Sequence, residues 1–341
     1  MATSSLSSLP AATPVPTWWR GSGGLVLLVL VLLALSLCSI MVGASQIKLA
    51  NVFDADSDDL VSKVLFTSRV PRTLALILAG ASMAVAGMIM QMIARNRFVE
   101  PSTVGTVGSA SLGMLAVALV APGLPMLGKM GVAAVFALVG TAVFMLILRR
   151  LPVRNALLVP LVGLVFAGMI EAATAFFAYR FEMLQAIRAW TTGDFSAILK
   201  GRYELLWISL GLTVAAWFAA DRFTVIGMGE DVSANLGVNY GRWMAVGLVI
   251  IAMVTASIVV TAGVIPFLGL IVPNLVSMVM GDRMRRSVIW VALCGAVLML
   301  ACDVLGRLVI YPYEIPIGTI MGVLGSLLFL GFLWHKRAQL G

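Results

Sequence analysis

The chain has 341 residues, of which 61% are hydrophobic and 11% charged, with a formal net charge of +8 and a mean hydropathy of +1.06. This composition excludes a soluble domain and marks a polytopic membrane protein, because each crossing of a bilayer core about 30 Å thick takes about 20 apolar residues. The positive balance follows from membrane topology and gives a nucleic-acid partner no support.

Residues 1–24, rich in Ser, Thr, Pro and Ala and carrying Trp18, Trp19 and Arg20, read as a disordered cytoplasmic tail. Residues 25–341 read as a single all-α transmembrane domain. Ten apolar segments are predicted to span, at 25–44, 70–94, 102–121, 128–148, 156–178, 203–220, 242–263, 266–281, 287–307 and 315–334. The first is too long an apolar run for a cleaved signal peptide and is expected to remain as a span. The eighth is short and interrupted by Pro273. Just over half of the 23 Lys and Arg residues fall on the side of the N terminus and crowd into short loops, which places both termini in the cytoplasm.

After the first span, Asp54, Asp56, Asp58 and Asp59 lack the central Gly and closing Glu of a calcium loop and read as a solvated external loop. Arg69 and Arg72, three apart at the start of the second span, share one face at the positive end of a helix, so they call for an anionic partner or anchor at the interface. The second span carries Gly80, Ala84, Gly87 and Gln91 on one stripe, a pattern that lets a neighbouring helix come close. Gly318, Gly322 and Gly325 in the last span are expected to do the same. In the fifth span Gly163, Ala167 and Glu171 fall at four-residue steps, which makes Glu171 a candidate buried carboxylate. Asp303 is the other intramembrane acid, and Arg307 four residues later is placed to neutralise it.

The longest polar interruption of the C-terminal half runs from Asp221 to Arg242. Gly227 and Gly229 break the preceding structure, Glu230 and Asp231 suit a first helical turn, and Gly237 suits a stop. A short helix is predicted there, with Val232, Ala234 and Leu236 on an apolar side and Glu230, Asp231, Ser233 and Asn235 in water. Such a helix can dock onto another protein or pack on its own bundle.

Catalytic and metal chemistry find no foothold. Cys38, Cys294 and Cys302 all fall inside spans, and His335 stands alone, so no metal cluster or disulfide framework is predicted. Gly123, Gly128 and Lys129 have phosphate-loop spacing, but Met130 replaces the hydroxyl residue that would hold magnesium. No nucleophile and base converge, so the chain is not expected to be an enzyme.

Several segments taken together carry a resemblance: Arg69-Val70-Pro71-Arg72, the Gly-rich span ending at Gln91, Asn96 to Gly105 with Glu100-Pro101-Ser102, and Gly108-Ser109-Ala110. Trp190 to Gly193, Gly229-Glu230 through Leu236-Gly237, Gly263 to Pro273, Asp303 to Arg307, and Glu314 to Gly318 continue it. In this order the chain resembles the permease family of type II ABC importers for iron-siderophore complexes, haem and cobalamin. Asn96-Arg97-Phe98-Val99 and Pro273-Asn274 depart from the commoner family pattern and resemble the branch for ferric catecholate and mixed siderophores such as enterobactin, petrobactin, vibriobactin or anguibactin. The resemblance implies a coupling segment at about 224–238, with Gly229, Glu230, Ala234, Leu236 and Gly237 meeting an ATPase. It implies external docking of a substrate-binding protein at Arg69, Arg72 and Arg307. Gln91, Gly163, Glu171, Asn274 and Asp303 are then the candidate path or intramembrane polar residues. A second permease chain, two ATPase subunits holding ATP and magnesium, and a periplasmic or lipid-anchored binding protein are the implied partners, in a bacterial inner membrane. The rival reading is an ion-coupled secondary carrier using Glu171 and Asp303.

Overall fold

The structure is a computed structural model that describes residues 21–42, 63–151, 158–281 and 283–340. Most of the tail and all four aspartates of the first loop lie outside the described residues. The described residues form an all-helical bundle. Its helices are α1 (Ser22–Met41), α2 (Val70–Ile93, entered through a π-helical turn at Leu65–Arg69), α3 (Thr106–Val120), α4 (Met126–Arg150), α5 (Leu158–Arg180), α6 (Leu184–Thr191) and α7 (Leu205–Phe218). There follow α8 (Ala220–Gly227), α9 (Glu230–Asn235), α10 (Tyr240–Ala262), α11 (Leu268–Met280), α12 (Met284–Val309) and α13 (Ile317–Leu340).

Each of the ten predicted segments corresponds to a helix. Six helices are long and apolar enough to cross a membrane, and α7 with α8 makes a seventh apolar unit bent by 68°. The other three, in α3, α11 and the apolar first part of α13, are shorter apolar helices. The segment predicted at 203–220 holds α7, but the chain turns at Ala219, and α8 continues as a separate helix that the sequence did not announce. The amphipathic α6 is also unannounced. Thr106, rather than Ser102, opens α3, because Gly105 adopts a left-handed φ of 78° and the preceding residues form turns.

The centre of the bundle is α2. The apolar window of its span is 89% buried, against 11% for α1 and 22% for α5, so α2 is the axis and the other two lie at the periphery. It packs on α7, α10, α11 and α12. Lipid tails are as apolar as leucine, so burial of apolar surface does not draw these helices together as it would in water; close van der Waals contact between small residues does. A Cβ added to Gly80 would stand 2.6 Å from the carbonyl oxygen of Gly295 on α12, and one added to Gly87 would overlap the backbone of Gly269 on α11. At the far side of the bundle a Cβ on Gly318 would stand 2.8 Å from the nitrogen of Gly193, whose carbonyl accepts the Gly318 N–H at 2.8 Å.

The stripe predicted on the last span is corrected at one position. Gly325 presses on the Phe267 ring, with 2.6 Å between an added Cβ and the Phe267 Cβ, but a Cβ on Gly322 would meet only Pro266 at 3.9 Å. The two kinds of glycine therefore separate by experiment. Gly87→Val meets backbone that cannot yield, at a cost of about 3 kcal/mol or more, and is expected to remove the monodisperse peak in size-exclusion chromatography of the detergent-extracted protein. Gly322→Ala is expected to leave that peak unchanged.

Candidate functional site

The short helix α11 is held against the end of α2 and the segment that follows it. Pro273 inside α11 has no N–H for the carbonyl four residues earlier, which belongs to Gly269. Gln91 Nε2 takes up that oxygen at 3.2 Å and lies 3.4 Å from the Leu270 carbonyl. Asn274 Nδ2 donates back to Arg97 O at 2.8 Å and to Leu270 O at 2.7 Å. Glu100, 1% exposed, brings its carboxylate to the N-terminal end of the same helix, where Phe267 N–H donates to Oε1 at 3.0 Å and Ser102 Oγ at 2.5 Å. Burial pushes the Glu100 carboxyl up to about 6, against the hydrogen bonds that pull it down. Gln91 and Asn274, expected along a path, thus brace α11, with Gln91 also lining a cleft of about 410 Å³, and Glu100 joins them, a residue marked in the sequence only by its motif.

At the end of the bundle where α2 begins, three arginines and two acids share one network. Arg72 donates to Asp303 Oδ1 from Nε at 3.1 Å and Nη2 at 2.7 Å, and from Nη1 to Glu314 at 2.7 Å. Arg307 bonds the other oxygen of Asp303, which also accepts from Ser39 Oγ at 3.2 Å. Other guanidinium hydrogens close off the last turn of α1: Arg307 reaches Ser39 O at 2.8 Å and Val42 O at 2.5 Å, and Arg69 reaches Ile40 O at 2.8 Å and Met41 O at 3.2 Å. These are the carbonyls that a helix C-terminus leaves without partners, and cations suit that end.

The expected pairing of Asp303 with Arg307 is present. The expectation that Arg69, Arg72 and Arg307 stand open as docking residues is corrected: Arg69 and Arg307 are buried at 7% and 5%, so their charge is used within the bundle. Arg72 and Glu314 reach the rim, with side chains 11% and 32% exposed. Asp303 is sealed inside this network.

The fifth predicted span is corrected in part. Gly163 and Ala167 on α5 are buried, Gly163 because a Cβ there would stand 2.7 Å from Thr103 O. Glu171 is exposed, among other exposed residues of a peripheral helix, and is no buried carboxylate.

The polar stretch forms a compact unit at the opposite end of the bundle. Gly229 adopts φ 112°, a backbone conformation that favours glycine, and lies against the guanidinium end of Arg95. Ser233, expected in water, is buried; its hydroxyl donates to Gly229 O at 2.7 Å and Val225 O at 3.2 Å, tying α9 to α8. Gly237, with φ 72°, closes α9 as a Schellman cap, in which Val238 N donates to Ser233 O at 2.8 Å and Gly237 N to Ala234 O at 3.0 Å. Asn239 then caps α10, its Oδ1 accepting from Arg242 N at 2.9 Å. Glu230, Ala234 and Gly237 are exposed, as are Met228 at 57%, Val232 at 39% and Leu236 at 60%. The result is a capped element with an apolar exposed side at one end of the bundle.

Known proteins place this architecture. A model of the FecCD transport family matches residues 28–335. The chain belongs to that family. A FecCD protein is a multi-pass ABC importer permease, which transports and does not catalyse, and it works with ATPase and binding-protein partners. Among similar proteins, the petrobactin import system permease YclN of Bacillus subtilis (strain 168) is 42% identical over 311 residues, covering 91% of this chain and 98% of that one. The ferric-anguibactin transport system permease FatD of Vibrio anguillarum is 40% identical over 269 residues, covering 79% and 86%. A solved structure described as an inward-facing metal-chelate type ABC transporter superposes with a TM-score of 0.77 at 24% identity, over 92% of this chain and 98% of that one, and shows the shared fold.

No group of three or more potential metal ligands occurs among the described residues. The buried charge cluster yields a stability prediction. Asp303→Ala leaves Arg72 and Arg307 facing each other without their shared counter-ion, at a cost of about 3–5 kcal/mol. Glu314→Gln, at the rim, costs less than about 1 kcal/mol. Thermal-shift measurements on the two purified variants are expected to show a large fall in Tm for the first and little change for the second.

Proposed function

We propose that this chain forms the membrane path of an ATP-driven importer for ferric siderophores of the catecholate or mixed type. The observation that carries the substrate class is the match over nearly the whole length to a petrobactin permease at 42% identity, beside a ferric-anguibactin permease at 40%. Asn96 to Val99 and Pro273-Asn274 point the same way, and both lie in the braces around α11.

In this reading the permease works as a pair, with a second copy or a paralogous chain, two ATPase subunits below and a soluble or lipid-anchored binding protein above. Both termini lie in the cytoplasm of a bacterial inner membrane, with α8 and α9 on that side. ATP and magnesium are held by the ATPase pair. Its closure moves α9 through Glu230, Ala234, Leu236 and Gly237, and the two permease chains rock so that the path opens to alternate sides. Glu171 on the exposed face of α5 is the remaining path candidate. On the outer side Arg72 and Glu314 offer the binding protein a charged rim, while Arg69 and Arg307 keep that rim in place. Asp303 is neutralised and Glu171 is exposed, so an ion-coupled carrier lacks a buried carboxylate relay among the described residues.

Two experiments test these claims. A strain lacking this gene is expected to lose uptake of radiolabelled ferric petrobactin and to recover it with the wild-type chain; uptake restored only for a haem or cobalamin substrate would reassign the cargo. Ala234→Arg, at an exposed position, is expected to lower uptake at least about tenfold while the amount of folded permease is unchanged. Normal uptake in that variant would remove α9 from the coupling role.

A further inference from the structure

Two clefts flank α8, and arginines line both. One, of about 410 Å³, lies between the end of α2, α8 and α11, and Arg95 and Arg97 stand on it beside Met92 and Met228. The other, of about 530 Å³, lies between α8 and the start of α12, with Val225 and Met228 on one side and Asp221, Arg283, Arg285 and Arg286 around it.

The second cleft concentrates charge where the fold disfavours it. Three arginines fall within four residues at the N-terminal end of α12, an end that is itself positive. Asp221 is the one carboxylate among its described lining residues, bonded to Arg285 at 2.6 Å with both side chains well exposed. The site is anchored all the same: Met284 between the arginines is fully buried, and its N–H donates to Thr224 Oγ1 of α8 at 3.2 Å. Ile289, 43% exposed, follows Arg285 by four residues and Arg286 by three, so it continues the same helix face one turn deeper into the span. An arginine-lined cleft that passes into exposed apolar helix suits a ligand with an anionic head and an apolar body.

We propose that this cleft holds the phosphate-bearing headgroup of an anionic diacyl phospholipid, with its acyl chains running along α12 past Ile289, and that the bound lipid fixes α8 against α12. Free phosphate has the same head chemistry but no use for the apolar continuation. An ATPase surface is better served by α9, where Val232 and Leu236 are exposed. The effect on coupling rests on the importer reading above; the binding itself does not.

The assembled importer, purified with its partners, is to be titrated with phosphatidylglycerol or phosphatidylcholine and the bound lipid counted by native mass spectrometry. The two net positive charges of the described lining residues correspond to about a thirty-fold preference for phosphatidylglycerol. The combined R283Q, R285Q and R286Q variant is expected to lose most of that preference. R286Q alone is expected to lower it and D221N alone to raise it, so the test survives if the combined variant does not assemble. An unchanged preference in R286Q and D221N overturns the proposal. So does displacement of the lipid by inorganic phosphate, which would mark a free-anion site, or protection of an R285C thiol from a polar maleimide only when the ATPase is bound, which would assign the surface to that subunit. Stimulation of ATP hydrolysis by phosphatidylglycerol in vesicles, lost in R286Q, measures the coupling effect. Loss of siderophore uptake by the wild-type complex would count against the importer reading and leave the lipid count standing.

Discussion

The meeting of Gly87 with Gly269 is the constraint on which the rest of the bundle depends. Backbone touches backbone there, so α11 can lie this close to α2 only if Gly87 has no side chain, and a Cβ on Gly269 would already be a tight 3.1 Å from the Gly87 Cα. Once α11 is so close, its own defect comes within reach of α2. Pro273 frees the Gly269 carbonyl, and Gln91, one turn beyond Gly87, stands where it can donate to that oxygen. A buried carbonyl left without a partner in a membrane costs several kcal/mol. Glu100 from the following loop, and Asn274 of α11 reaching back to the Arg97 carbonyl of that loop, complete the attachment, so a helix of 13 residues, too short to span alone, becomes a fixed part of the core.

Charge is divided between the two ends of the molecule in different ways. At one end Asp303 draws two arginines inward, and the carbonyls at the end of α1 take the spare guanidinium hydrogens, so cations are consumed as structural ties. At the other end Arg283, Arg285 and Arg286 beside α8 stay exposed, and Arg285 pairs with Asp221 at the surface. The same residue type therefore locks helices together where acids and carbonyls are buried with it, and remains open to outside partners where they are not.

The helices were legible in the sequence because membrane spans need long apolar runs, and each run found became a helix. The capped unit around α9 was legible for a similar reason: Gly229 and Gly237 are punctuation that only a positive φ explains. What could not be read was which side chain meets which. Arg69 and Arg307 had the position of docking residues, but the carbonyls that bury them lie on α1, more than twenty-five residues from Arg69 in the chain and invisible to any local pattern. Gly322 shared a stripe with Gly318 and Gly325, yet spacing cannot tell which member of a stripe touches a neighbour. Ser233 was placed in water because it sits among polar residues, whereas its hydroxyl turns back to the carbonyls of the preceding helix.

The turn at Ala219 has a mechanical consequence. At 1.5 Å per residue the 14 residues of α7 reach only about 21 Å, so the span ends early and α8 lies across the end of the bundle instead of continuing along the axis. The crosswise α8 packs on α2, α10 and α12 as well as on α7, and Ser233 ties α9 to it, so α9 is joined to several helices of the core at once. A chain that continued straight along α7 would have left α9 at the end of a single helix.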